Sequence, residues 1–298
     1  MAKTGCRDRG PFRLGLVVIG VIAGLVVAGF LIKFSGPPAE PSRPEPSRPE
    51  PSTPVAQAPL SGKPPAATII PKPSLRVAIV IDDMGADLKK VNELFEVDAP
   101  LTIAVLPFLR HSKAVATKIH LKKGWEVILH LPMEPKDYSL GDSDKNPGNG
   151  ALFTTMSVRD VMRQTLDDIK EVPYADGVNN HMGSRFTENA VLMRAALDVM
   201  RQNKLFFLDS RTSASTVGGN IAREMGIPNA DRSVFLDNTR DENYVKGQFV
   251  ELVAAARRKG KAIAIGHPYP ETIAALKASI PYLREQGVEV VKLSDLID

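Results

Sequence analysis

Cysteine is all but missing from this chain: of 298 residues only Cys6 carries a thiol. One thiol closes no intrachain bridge, so a disulfide framework is excluded. Cys6 does not follow an apolar stretch either, as the modified cysteine of a lipoprotein would. A strong charge of one sign is lacking too. The 38 Lys and Arg stand against 34 Asp and Glu, for a net +4, and part of that excess is the N-terminal set Lys3, Arg7, Arg9 and Arg13. No basic stripe interleaved with aromatics occurs elsewhere, which excludes nucleic acid as the expected partner.

What is present divides into four parts. Residues 1–13 form a basic stub, expected in the cytoplasm. Residues 14–32 carry no charge, and at ~1.5 Å per residue they approach the ~30 Å apolar thickness of a bilayer. They read as a single transmembrane anchor. The competing reading, a cleaved signal peptide, is disfavoured by the length of the run and by the lack of a small-x-small cleavage site after it. Basic residues before the span orient it with everything downstream outside, so the expected location is the inner membrane, single-pass, with the domain on the outer or periplasmic side. Residues 33–73 are rich in Pro, Ser, Ala and Glu, with a near repeat starting at Pro41 and Pro46. Such a segment builds no core and reads as an extended spacer.

Residues 74–298 alternate strand-like and helix-like stretches. The apolar runs lie at 76–81, 101–106, 125–131, 177–180, 205–209, 233–236, 261–266 and 288–293, with amphipathic stretches between most of them. This alternation predicts an α/β fold with a parallel sheet: a distorted (β/α) barrel of about seven or eight strands. An open doubly wound sheet is the alternative. No Gly-x-Gly-x-x-Gly follows the first strand, which disfavours a dinucleotide fold. The Gly-, Asp- and Asn-rich stretch 135–155 reads as a long loop above the strand ends.

Chemistry-bearing residues fall where apolar runs stop. The first run ends in Asp82 and Asp83, the third in His130, the fourth in His181, and 261–266 in His267. Parallel α/β sheets gather their ligands at the carboxyl ends of strands. In a regular strand adjacent side chains point to opposite faces, so Asp82 and Asp83 share a site only where the strand ends, and Gly85 supplies such an end. Paired carboxylates repel, and a divalent cation relieves them: one binds it while its neighbour serves as a base. The plainer alternative is a helix cap beside a solvated carboxylate. Glu134 follows His130 by four residues; in a continuing strand the two would lie ~13 Å apart, but a turn at Pro132 would bring Glu134 back. Surface pairing of Glu134 is the alternative. The polar run from Asn179 through Asn180, His181 and Ser184 to Arg185 is a poor core and a good site. Two histidines with a carboxylate suit Zn²⁺ and leave positions for water and substrate. Asp209, before Arg211, could orient a histidine or an arginine; Asp237 is a weaker candidate. His111 and His120 lie on a polar helix-like stretch and read as ordinary surface residues.

Taken in order, Asp82-Asp83, His130 with Glu134, Asn180-His181-Met-Gly-Ser184, Asp209-Ser-Arg211-Thr and Gly266-His267-Pro resemble the divergent polysaccharide deacetylase family. This is a remote branch of the metal-dependent polysaccharide deacetylases and carbohydrate esterases, which share a distorted (β/α) barrel. The resemblance spans 75–298 and implies Asp82 as base, Asp83 as metal ligand and His267 as general acid. It sets His130 and Glu134 against the family's usual pair of metal histidines, and the usual Arg-x-Pro-Tyr is missing where His181 stands. The implied ligand set is Asp83, His130 and His181, with Glu134 as a replacement. Asn180, Ser184, Arg185, Asp209 and Arg211 fall to substrate or supporting roles. The implied cofactor is a divalent metal of the Zn²⁺ type, and the implied partner a cell-envelope polysaccharide carrying N-acetyl or O-acetyl groups. A catalytically silent domain that binds glycan or an envelope protein is the other reading. An aspartate-nucleophile phosphatase is disfavoured because its Asp-x-Asp is absent.

Overall fold

The computed structural model describes residues 75–138 and 145–297. The stub, the anchor and the spacer expected at 1–13, 14–32 and 33–73 lie outside the described residues. Among those described, no helix is long and apolar enough to cross a membrane.

The chain alternates as expected. The order is β1 (Leu75–Met84), α1 (Leu88–Leu94), β2 (Thr102–Val105), α2 (Ser112–His120), β3 (Glu126–Met133), α3 (Val158–Glu171), β4 (Gly177–Met182) and α4 (Ala190–Gln202). There follow β5 (Phe206–Asp209), α5 (Gly218–Glu224), β6 (Asn229–Asp231), β7 (Val234–Phe235), α6 (Glu242–Lys259), β8 (Lys261–Gly266), α7 (Pro270–Glu285) and β9 (Val288–Val291). Helices α3, α4 and α6 begin where Ser157, Asn189 and Asp241 accept a first-turn backbone N–H.

Every strand pair is parallel, in the order β6-β5-β4-β3-β2-β1-β8-β7. One side of β1 is shared: β9 pairs with Leu75–Ala78, and β2 takes over from Val80. The edge strands β6 and β7 are separated only by Arg232 and Ser233. That link spans at most ~10 Å, so the sheet has to curl until its two ends meet. The link joins them by its own hydrogen bonds: Arg232 N–H donates to Asp209 O of β5, and Ser233 N–H donates to Ile263 O of β8. The result is a distorted barrel whose seam is closed by the chain instead of a ladder. The strand expected at 233–236 is the short β7, and β6 is an additional strand that the polar Asn229–Asp231 gave no apolar run to mark.

Period-two alternation sorts the strand residues. Val77, Ile79 and Ile81 point outward to the helices, whereas Ala78 and Val80 join Ala104, Ile128, Phe206, Leu208, Ile263 and Ile265 inside the barrel. The 3₁₀ turn Leu293–Leu296 plugs the amino end of the barrel with Leu293 and Leu296, both buried.

Candidate metal centre

The inward stripes continue past the apolar layer into polar side chains at the carboxyl ends. Ala78 and Val80 lead to Asp82 on β1, Ile128 to His130 on β3, and Ile263 and Ile265 to His267 after β8. On β4 the same parity turns Asn179 and His181 inward. Asp83 is out of register with this pattern. It enters the site because the β1–β2 register shifts between Ile81 and Met84 and its own backbone is left-handed, with φ at 58°. Asp is among the few residues that tolerate that conformation. The expected strand end is thus a bulge at Asp83 itself, followed by Gly85 at φ 128°.

Three atoms converge there. Asp83 Oδ1 lies 3.3 Å from His130 Nε2 and 3.1 Å from His181 Nδ1, and the two nitrogens are 3.1 Å apart. These three residues form a group with metal-ligand spacing. Ligands ~2.0 to 2.1 Å from a tetrahedral zinc lie about 3.3 Å from one another, close to the triangle observed. Asp83 Oδ1 is buried with no hydrogen-bond donor directed at it. An orphaned carboxylate oxygen facing two ring nitrogens is a poor arrangement without a cation and a good one with it. Burial works against its charge, but the neighbouring imidazoles of His130 and His181 prevail and hold the Asp83 carboxyl well below the usual range.

The surrounding groups are fixed. Asp82 is buried and accepts a hydrogen bond from Asn179 Nδ2 at 2.9 Å. Burial raises its pKa against the opposing pull of His130 and His267. The carbonyl oxygen of the same Asn179 meets His130 Nδ1 at 2.8 Å. Burial opposes protonation of His130 too, yet Asp82 and Asp83 raise its pKa. On the far side, His267 Nε2 stands 3.7 Å from Asp83 Oδ2, while its Nδ1 is held by Asp237 Oδ1 at 3.0 Å. Asp237 also accepts from the His267 backbone N–H at 2.6 Å and from Thr272 Oγ1 at 2.8 Å. Burial is again outweighed, here by Asp237, Asp83 and Asp82, and the His267 pKa is pushed up to about 9.

Other expected residues lie around the cluster. Glu134, expected as a replacement ligand, is not among the three residues that converge. Strand β3 does not stop at Pro132 but runs to Met133, paired residue by residue with β4. Pro132 is tolerated because its missing N–H faces the side where β2 has ended. With no turn, the Glu134 carboxylate stays one layer above, accepting from Thr154 N–H at 2.6 Å and Oγ1 at 2.5 Å, with Arg185 Nη1 at 3.3 Å. The described part of the long loop is thereby pinned to β3. Ser184 Oγ accepts from Lys136 N–H. Asn180, on the opposite face from Asn179, braces the loop after β5 by accepting from Ser210 N–H and donating to Thr212 Oγ1. Asp209 orients no histidine; it accepts from Arg211 N–H, Thr216 Oγ1 and Gly219 N–H. Arg211 reaches outward, 3.9 Å from Asp231. Asp237 takes the orienting task, and Asn179, named above only as the start of the polar run, joins the site because its position two residues before His181 gives it the same face. His120 stacks on Tyr174, away from the cluster.

A family model for divergent polysaccharide deacetylases matches residues 79–297. The uncharacterized protein YibQ of Escherichia coli (strain K12) is 36% identical over 223 residues, covering 75% of this chain and 67% of its own. An uncharacterized protein of Haemophilus influenzae is 35% identical over 221 residues, with 74% and 76% covered. Among solved structures, an uncharacterized protein of Agrobacterium tumefaciens C58 superposes with a TM-score of 0.69 at 24% identity, over 74% of this chain and 88% of its own. That likeness shows the fold.

Proposed function

Because the chain belongs to the divergent polysaccharide deacetylase family, we propose that it is a metal-dependent hydrolase that removes acetyl groups from N-acetylated polysaccharide of the cell envelope. The observation that carries this reading is the convergence of Asp83 Oδ1, His130 Nε2 and His181 Nδ1, with Asp82 and His267 beside them.

Asp83, His130 and His181 would hold a divalent cation, with zinc favoured by two imidazoles and a carboxylate. Bound there, it would supply Lewis acidity at the acetyl carbonyl and acidify a water. The chain's own groups do the rest. Asp82, buried and held by Asn179, takes a proton from the attacking water. Its raised pKa makes it a stronger base than an exposed carboxylate. His267, held by Asp237 through Nδ1 and protonated at neutral pH, gives a proton from Nε2 to the departing amine. The apolar run at 14–32 and its basic flank support an anchored domain on the outer side of the membrane, and the Pro-rich 33–73 supports a reach toward an immobile polymer.

The test is acetate release from N-acetylated glycans by the full chain, stripped with a chelator and then reloaded with single divalent metals. Acetate release that vanishes on stripping and returns with zinc is the expected result. Glycan binding without acetate release under every metal would overturn the hydrolase reading in favour of a binding domain.

A further inference from the structure

Asn179 lies on the barrel floor of the site, fully buried, with both ends of its amide committed. Its Nδ2 is 2.9 Å from Asp82 Oδ1 and its Oδ1 is 2.8 Å from His130 Nδ1. An amide is the side chain that can do both: it donates with one end and accepts with the other. A metal-binding histidine needs its second nitrogen fixed as a donor so that the first keeps its lone pair for the ion. In many such sites a carboxylate accepts that proton. Here an amide stands between the histidine and the carboxylate, and the carboxylate is the base.

We propose that Asn179 is a two-sided positioning residue: its carbonyl oxygen holds His130 with Nδ1 protonated and Nε2 turned to the metal, while its N–H aims Asp82 at the water. The half concerning Asp82 rests on the hydrolase reading; the half concerning His130 rests on the metal site alone. Ser210 Oγ, 3.3 Å from the same Nδ2, is a longer contact that helps fix the amide's orientation.

Two substitutions separate the halves. Asn179→Asp keeps an oxygen for His130 Nδ1 but has no N–H for Asp82, whereas Asn179→Leu keeps the shape and loses both. In the full chain, zinc affinity is measured by competition with a chromophoric chelator, and acetate release is measured alongside. Asn179→Leu is expected to weaken zinc by ~10 to 100-fold, the usual cost of losing an outer partner of a ligand. Asn179→Asp is expected to stay within about threefold of wild type in zinc affinity while acetate release falls by ~10² or more. A residue that merely filled space would not split the two readouts this way. Zinc affinity unchanged in the Leu variant, or lost equally in the Asp variant, overturns the His130 half. Full acetate release by the Asp variant overturns the Asp82 half. If Asn179→Leu does not fold, Asn179→Ala takes its place in the same comparison. Should the wild type release no acetate at all, that failure belongs to the hydrolase reading, and the zinc measurements still decide the His130 half.

Discussion

The two ends of the barrel both bury carboxylates, and they treat them differently. At the amino end Glu126 accepts from Thr102 Oγ1 at 2.9 Å and from Ser294 N–H at 3.2 Å, and Thr102 Oγ1 in turn accepts from Leu293 N–H at 3.0 Å. Donors and acceptors match, and the C-terminal turn is tied in as a plug. At the carboxyl end Asp83 Oδ1 is buried with no partner in hydrogen-bonding geometry, and a ring nitrogen of each of two imidazoles stands 3.1 to 3.3 Å from it. A buried carboxylate is costly to leave unmatched, and that cost is what a cation at the proposed site would relieve. If one end serves stability and the other the proposed chemistry, damage at each should read out in a different measurement.

The largest effect is expected at Asp83. Asn tolerates the left-handed backbone that Asp83 adopts at φ 58°, so Asp83→Asn would remove the proposed ligand without straining the bulge. Zinc affinity should drop by more than the ~10 to 100-fold that losing an outer partner costs, and acetate release should fall to background. Zinc binding as tight as wild type would erase the contrast between the two ends.

Much of this site is legible in the sequence through parity. Once Ala78 and Val80 are assigned to the barrel interior, Asp82 follows, and the same step of two leads from Ile128 to His130 and from Ile265 to His267. Applied to β4, it would have found Asn179 from His181. Asp83 breaks the rule, and only the bulge brings it in, a feature that the sequence marks by no more than Gly85. Pro132 misled in the other direction: proline reads as a strand end, but β3 had already lost its neighbour on that side. The short β6 was illegible because Asn229–Asp231 offers no apolar pattern, and its place in the sheet is set by pairing with β5. Asp237 looked weak because its partner is thirty residues away, at His267.

The proposed proton-transfer groups rank next. Asp82→Asn and His267→Ala should each lower acetate release by ~10² to 10⁴ while zinc affinity stays near wild type, because acid and base contributions are of that size. Asp237→Asn, which leaves His267 in place but weakens its holder, should cost less, ~10 to 100-fold. Parallel loss of zinc in the Asp82 or His267 variants would move those residues into the ligand set and redraw the carboxyl end.

The smallest effect is expected at the amino end, and it is one of stability against pH. Burial raises the Glu126 pKa from its usual 4.5, with the Ser294 and Thr102 hydrogen bonds opposing it and Asp176 adding to it. The folded chain therefore holds this proton more tightly than the unfolded one. The resulting stabilisation is fully present below pH ~4.5 and is lost as pH climbs through the raised value, with a slope of at most ~1.4 kcal/mol per pH unit. Gln at this position has no such proton. The unfolding free energy of Glu126→Gln minus that of wild type, both metal-free, should thus rise with pH above that point and then level off. The titrations of Asp82, Asp83 and the histidines are common to both proteins and cancel in the difference. Zinc affinity and acetate release should stay within about twofold of wild type, because changes at distant, unshared sites act independently. A flat difference across the pH range would show that Glu126 is not held as the hydrogen bonds imply, and a change in zinc affinity would show that the two ends are coupled.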